Sequence, residues 1–497
     1  MDLVVSNLAG NLDALAALAR EQAPYADVLE LRLDACASAT TEDLARAFAS
    51  LPRPVLAAVN GPEAYGSFSG SDADRLALLR RASEAGAAWI DVPWTLARDL
   101  GPLRARRVVS RHVLDGTPPD LEALVAEVER VAGPADRVKL VTHATCAEDG
   151  LRVLRLARSR ARAGRPIAAF ASGAAGSFTR ALAPVFGSLA TYSAPARGTG
   201  GGATAPGQLE ADQLCAMWPA GGASPATRIL GVVGRPVGAS LSPRLHGAAL
   251  RCAGIDAVYV AFEPAEFDAF LALCADVGVH GLSVTMPFKA EAARLATSRD
   301  DAVIACGAAN TLLRTEDGWR ASNTDASAVR TCILRALHDT DQPLTSVVAA
   351  VVGTGGAARA ALHALQGACL VVTGRDAAKR DALAREFGAE ACTVDDLHSI
   401  PHDVLVNTTP LGSRAHPGAM AVPASALREG SLVLDAVYRP AETPLLAAAR
   451  AIGARTIEGR EWFLEQAIAQ FTAFTDADAP AESMRVELAR ALAEDGP

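Results

Sequence analysis

Over the first 215 residues, eight short apolar and β-branched runs alternate with helical stretches, and this rhythm constrains the fold more than any other feature of the chain. The runs are DLVVSNL, DVLELRLD, PVLAAVN, AWIDVP, RRVVSRH, RVKLVTH, PIAAFAS and LATYSA. Between them lie Ala/Leu/Arg-rich segments of helical period, such as 120 to 132 and 147 to 162. Strands separated by crossover helices pair in parallel, and eight such units close into a (β/α)8 TIM barrel, expected over residues 1–217. The segment WPAGGASPATR, 218 to 228, is rich in Gly, Pro and Ala and reads as a linker.

After the linker, RILGVVG, AVYVAFE and GLSVTM alternate with helical stretches, which suggests a small open α/β domain over 228–338. A second unit, 339–459, then opens with SVVAAVVGTGGAARAALHAL, a buried strand running through a Gly-rich turn into a helix, and continues with the strand CLVVTGR. That is the start of a Rossmann dinucleotide-binding fold. Helical stretches at 460 to 475 and 481 to 494, within a final segment 460–497, are expected to pack back on the preceding domain. Three domains suit a 497-residue chain at roughly 100 to 200 residues each.

The net charge of −9 is spread without basic clusters, which excludes nucleic acid and anionic membrane as main partners and leaves small-molecule substrates. Oligomeric state is not legible. Nine cysteines, no two closer than Cys252 and Cys274, offer no CxxC pair for zinc or redox chemistry, and no metal site is expected. The amino terminus lacks the basic start of a secretory signal, and no uncharged apolar run approaches about 18 residues. A reduced, cytoplasmic enzyme is the expectation.

In VVGTGGAAR the backbone must turn tightly and bring amides up to phosphate oxygens, which accounts for Gly353, Gly355 and Gly356. Arg375 ends the next strand, 375 − 353 = 22 residues on, where a guanidinium suits a 2′-phosphate and favours NADP over NAD. Its neighbour Asp376 either caps the following helix or leaves some NAD use.

Four polar stretches, SLSPRLH, SVTMPFK, GAANT and SNTD, lie ahead of this turn. Singly each is a turn or cap: Ser242 before Pro243 suits an N-cap, and Asp325 suits a helix start. Together with GTGGAAR, NTTPLG, DAVYRPAETPLL and GREWFLEQA, they make residues 228 to 475 resemble shikimate dehydrogenase. The resemblance implies that Lys289 and Asp325 flank the reacting hydroxyl. It also implies that Ser240 and Ser242 hold the substrate carboxylate, and that Thr285, Asn310 and Gln466 hold ring hydroxyls. Ala357, Thr408, Tyr438 and Gly459 would lie beside the cofactor. Ala239, Gly247, Ser283 and Ala328 depart from the family pattern.

In LELRLD, Glu30 and Arg32 share a strand face; His112 closes the fifth strand, and Lys139 lies inside the sixth. A lysine desolvated in a barrel near other cations would have its pKa lowered and could attack a ketone, although pairing with an interior acid is an equal alternative. The stretches ELRLD, SRH, VKLVTHATCAEDGLRVL, GSFTRALAPVFGS and TAPGQL make residues 1 to 215 similar to type I 3-dehydroquinate dehydratase. That resemblance implies Lys139 as Schiff-base nucleophile, His112 as acid/base, and Arg180 and Gln208 as substrate contacts, with Glu30 and Arg32 in the same pocket. Asn60 stands where the family carries arginine, and Pro93 where it carries glutamate.

The expectation is therefore a fusion that dehydrates 3-dehydroquinate and reduces the product with NADPH. The alternatives are a barrel reduced to a scaffold, and a quinate dehydrogenase in the second half.

Overall fold

The computed structural model describes residues 1–339 and 342–494, so the start of the expected second α/β unit and the last three residues of the final segment lie partly outside the described residues. The chain divides into two compact units, one of Met1–Ile229 with Asp256–Val279, the other of Leu230–Ile255 with His280 onward.

The first unit contains strands β1 (Asp2–Leu8), β2 (Val28–Arg32), β3 (Val55–Ala58), β4 (Trp89–Pro93), β5 (Arg106–Val113), β6 (Arg137–His143), β7 (Ala168–Ser172) and β8 (Ala190–Ser193). They form one sheet in the order β7-β6-β5-β4-β3-β2-β1-β8, with parallel ladders. Just ahead of the two end strands, Leu189 N–H donates to Ile167 O at 3.1 Å. Val4, Val28, Leu56, Trp89, Val108, Val141, Ala168, Phe170, Ala190 and Tyr192 fill the interior as one apolar cluster. This sets the phase of every strand: because side chains alternate, Glu30, Asp91, His112, Lys139, His143 and Ser172 all face inward with that cluster.

The crossovers follow their caps. Asn11, Thr40, Ser71 and Asp120 each accept an N–H bond that closes the start of the next helix, with reciprocal capping boxes at Thr40 and Ser71. After β4 the crossover shrinks to the 3-10 turn Trp94–Leu96, because Pro93 and the Gly-Pro pair at 101 and 102 leave no room for a full helix.

A second sheet holds β9 (Arg228–Val233), β10 (Ala257–Phe262), β11 (Val279–Val284), β12 (Ser298–Arg299), β13 (Thr311–Thr315) and β14 (Gly318–Ser322), in the order β10-β9-β11-β13-β14-β12. The third holds β15 (Val348–Val352), β16 (Cys369–Thr373), β17 (Glu390–Cys392), β18 (Val404–Asn407), β19 (Leu432–Asp435) and β20 (Arg455–Ile457). Its order, β17-β16-β15-β18-β19-β20, is all parallel and reverses direction between β15 and β18, the doubly wound Rossmann arrangement. Ala349, Val351 and Val406 enter one core, and Ala350, Val352 and Leu405 the other, so both faces are covered. The helix Ala481–Glu494 lies along Ser242–Cys252, where Glu487 and Glu494 pair with Arg244.

Candidate active sites

Lys139 is buried on the inner face of β6, and its Nζ donates to Asp91 Oδ2 at 2.8 Å, with Glu30 Oε1 4.0 Å away and the Tyr192 ring centroid at 4.2 Å. Desolvation opposes its charge, but Asp91, Tyr192 and Glu30 outweigh that and raise its pKa above the ordinary lysine value. The expectation of a lowered lysine pKa is thus corrected: the nearest charges are acids, not cations, and the ammonium is kept. Asp91 responds in the opposite direction, its burial outweighed by Lys139, so its pKa is lowered. Removal from water, followed by the Lys139 ammonium, pushes the partly buried His112 down to about 3, so its imidazole is neutral.

Arg180 is fully buried, and its Nη1 donates to Ala171 O at 2.8 Å and Gly207 O at 3.1 Å, while its Nε has no partner. Burial draws its pKa down to about 10, a strain that an incoming carboxylate would relieve. Gln208 accepts from Thr204 N at 2.7 Å and Ala205 N at 3.2 Å, closing its own loop. Arg32 is clamped to Asp34 through Nε and Nη2, the latter at 2.6 Å, and Nη2 also donates to Tyr65 O at 3.3 Å, so these two nitrogens are spent on the pocket wall. Asn60 is buried at the end of β3, its N–H held by Asp34 Oδ1 at 2.8 Å; Pro93 ends β4. The acid Asp91 was missed in the sequence, although its spacing of two from Pro93 puts it on the same inward face.

In the second unit, Lys289 opens the helix Lys289–Leu295 and its Nζ donates to Asp325 Oδ2 at 2.6 Å. Asp325 is free for this because Asn323 caps the helix Thr324–His338, accepting from Ala326 N at 3.2 Å. The cap expected of Ser242 likewise falls elsewhere: Ser242 is the first helical residue, and its N–H donates to Ser240 Oγ at 3.2 Å. Asn310 accepts from Thr324 N at 2.8 Å, and Ser283 donates to Gln470 Oε1 at 2.7 Å, tying the strand to the helix Gly459–Thr475 that also carries Gln466. Thr285 follows β11, with its N–H on Val233 O at 2.9 Å. Gln470 is a further buried support that no sequence motif marked.

Gly353 sits at φ +125°, and a Cβ there would collide with Thr408 Oγ1, which itself donates to Val352 O at 2.7 Å. This bare turn, between the ends of β15 and β18, leads through Gly355 into the helix Gly356–Ala364, whose first amides and Ala357 face the switch point. Lys289 Cδ lies 3.7 Å from where a Gly356 Cβ would stand, so the lysine and the turn are neighbours. Arg375 is exposed beyond β16, and Asp376 caps the next helix by accepting from Lys379 N at 3.1 Å. Tyr438 stacks on Phe463 with centroids 4.8 Å apart, and Gly459 starts its helix against Val437 O. A dinucleotide phosphate fits these groups. Among the described residues, no cluster of His, Cys, Asp and Glu is placed to hold a metal, and no helix is long and apolar enough to cross a membrane.

A barrel with a lysine–aspartate pair on its inner wall, fused to a Rossmann-type oxidoreductase with its own lysine–aspartate pair, defines the class. Residues 2–219 match the type I 3-dehydroquinase family and residues 232–312 the shikimate dehydrogenase substrate binding domain. The chain is 32% identical over 485 residues to the chloroplastic bifunctional 3-dehydroquinate dehydratase/shikimate dehydrogenase of Arabidopsis thaliana, covering 92% of this chain and 79% of that one. It is 42% identical over 266 residues to the NADP(+) shikimate dehydrogenase of Halobacterium salinarum, covering 52% of this chain and 98% of the relative. A crystal structure of shikimate dehydrogenase in complex with NADP+ superposes with a TM-score of 0.51 at 28% identity, over 54% of this chain and 97% of that one. The chain belongs to the bifunctional 3-dehydroquinate dehydratase/shikimate dehydrogenase family.

Proposed function

We propose that residues 1–217 dehydrate 3-dehydroquinate through an imine on Lys139, and that residues 228–338 with 460–497, together with the Rossmann unit 339–459, reduce the resulting 3-dehydroshikimate to shikimate with NADPH. The observation that carries this is the pair of separate lysine–carboxylate contacts, Lys139 to Asp91 and Lys289 to Asp325. In the barrel, Lys139 Nζ passes its proton to Asp91 and attacks the ketone, losing water to form the imine. Neutral His112 takes the proton next to the imine carbon, the neighbouring hydroxyl leaves as water, and hydrolysis restores the lysine. Arg180 holds the carboxylate, and Gln208 and Glu30 line the pocket.

In the second half, Ser240 and Ser242 bind the carboxylate, and Thr285, Asn310 and Gln466 the ring hydroxyls. Lys289 delivers a proton to the developing alkoxide while Asp325 orients it. NADP, when bound, supplies the hydride. Gly353, Gly355, Gly356 and Ala357 would hold its phosphates, Arg375 its 2′-phosphate, and Thr408, Tyr438 and Gly459 its nicotinamide side. We place the enzyme in the cytoplasm, where its free cysteines stay reduced.

The test is to give purified protein 3-dehydroquinate without nucleotide, follow the ultraviolet absorbance of the conjugated enone, and then add NADPH. Appearance and then consumption of the enone is expected. Reduction of supplied 3-dehydroshikimate without enone formation would reduce the barrel to a scaffold.

A further inference from the structure

Tyr65 is one of two non-glycine residues at positive φ among the described residues, at φ 56° and ψ 31°. A bulky side chain adopts that conformation only where its surroundings impose it, and such positions concentrate at functional sites. Here the surroundings are specific. The loop from Asn60 to Ser67 is fastened to the end of β2 by a single carboxylate, Asp34, which accepts from Asn60 N at 2.8 Å, Ser67 N at 3.3 Å and Arg32 Nη2 at 2.6 Å. Arg32 then reaches Tyr65 O at 3.3 Å. Gly66 completes the turn, since a Cβ there would overlap Asn60 O.

This loop delivers the phenol to the inner wall of the barrel mouth. Tyr65 OH lies 2.7 Å from Ser172 Oγ and 3.4 Å from His143 Nδ1, and the histidine nitrogen lies 3.3 Å from the serine oxygen. Ser172 and His143 are paired neighbours at the ends of β7 and β6, on the same inward face as Lys139. Ser172 Oγ also reaches Thr142 O at 3.0 Å; with its proton placed there it accepts from Tyr65, and with either oxygen as donor the phenol oxygen keeps a lone pair for another donor. Tyr65 is close enough to Arg180 to influence its charge. His143 stands four residues beyond Lys139, roughly 13 Å along the strand.

We infer that Tyr65 is a substrate-contacting residue of the barrel, its phenol oxygen accepting a hydrogen bond from a ring hydroxyl of the hydroxy-acid substrate whose carboxylate lies on Arg180. Ser172 and His143 are positioning residues that aim the phenol, and Arg32 is a positioning residue for the loop. The inference deepens the dehydratase reading and rests on it.

The test is Tyr65→Phe in the full-length protein, which removes the hydroxyl alone. The dehydratase KM for 3-dehydroquinate should rise about tenfold, with kcat changed less, as loss of one hydrogen bond dictates. The thermal midpoint should fall by no more than the few degrees that loss of the Ser172 hydrogen bond costs, and the NADPH-dependent reduction of 3-dehydroshikimate should stay at the wild-type value. His143→Gln, which keeps a polar group, should lose less than His143→Leu. A merely structural cluster would lower the midpoint and kcat together, and either that pattern or a KM within twofold of wild type overturns the inference. Borohydride trapping of the wild type with 3-dehydroquinate keeps the two readings apart: no adduct defeats the dehydratase reading. Calorimetric binding of 3-dehydroquinate then decides for Tyr65, supporting it if Tyr65→Phe binds about tenfold more weakly and overturning it if affinity is unchanged.

Discussion

Replacing Asp91 by Asn removes the nearer of two acids from a buried lysine and leaves shape almost untouched. At an effective dielectric of about 20, a charge pair at 2.8 Å is worth roughly 6 kcal/mol and one at 4.0 Å roughly 4 kcal/mol. Both acids act on the lysine in the wild type, so if Lys139 closes onto Glu30 at the same contact distance the loss is still about 4 kcal/mol, within the roughly 3–5 kcal/mol that breaking a buried pair costs. For a barrel of this size, about 2–4 °C per kcal/mol places the drop between roughly 6 and 20 °C.

Calorimetric melts of the full-length protein read this directly, with NADP+ added to lift the dehydrogenase transition away from that of the barrel. The sign with pH is also fixed. In the wild type the raised lysine pKa keeps the proton in both states at pH 7 to 9, so this group adds no slope. In an Asp91→Asn/Glu30→Gln double variant the folded lysine sheds its proton, the unfolded chain binds more protons, and stability rises by about 1.4 kcal/mol per pH unit over that range. A barrel transition in Asp91→Asn within one degree of wild type at pH 7, or a double variant with no upward slope, would refute the reasoning.

Lys139→Ala should abolish enone formation and borohydride trapping while reduction of 3-dehydroshikimate by NADPH continues at the wild-type rate. Asp325→Asn should do the reverse, lowering reduction by about 10²–10⁴-fold in stopped-flow or steady-state assays without affecting the dehydratase. Arg375→Ala should raise the KM for NADPH by about 10- to 100-fold, the worth of a charged hydrogen bond, and leave the KM for NADH nearly unchanged. Asp435 accepts from Asn407 Nδ2, Val437 N and Thr443 Oγ1, so Asp435→Ala strands three donors and should cost about 3 kcal/mol or more, seen as an earlier dehydrogenase transition in the same melts.

The barrel was legible because each strand announces itself locally: a run of buried apolar residues bounded by polar loops. The Rossmann order was legible for the same reason, with the glycine turn fixing where it begins. The strands β12 to β14 were not, since β12 has two exposed residues and β13 and β14 form a hairpin whose pairing depends on β11. Lys139, Lys289 and Asp325 could be picked out as single residues in motifs. What sequence spacing could not deliver was who touches whom. Asp91 takes over the lysine, Asn323 rather than Asp325 does the capping, and Tyr65 and His143 meet from segments 78 residues apart. Each is decided by tertiary packing, which overrides local propensity.

Among the buried charged groups of the barrel interior, Lys139, Arg32 and Arg180 stand against Glu30, Asp34 and Asp91, one for one. An anionic guest tips that count by one negative charge, and a low-dielectric chamber in that state holds on to every proton it has. On the proposed imine route, arming Lys139 would be an internal handover, across 2.8 Å to Asp91, instead of a loss to the solvent. The barrel would carry its acid supply with it, and the rate of imine formation would be insulated from the alkalinity at which a free lysine normally becomes a nucleophile.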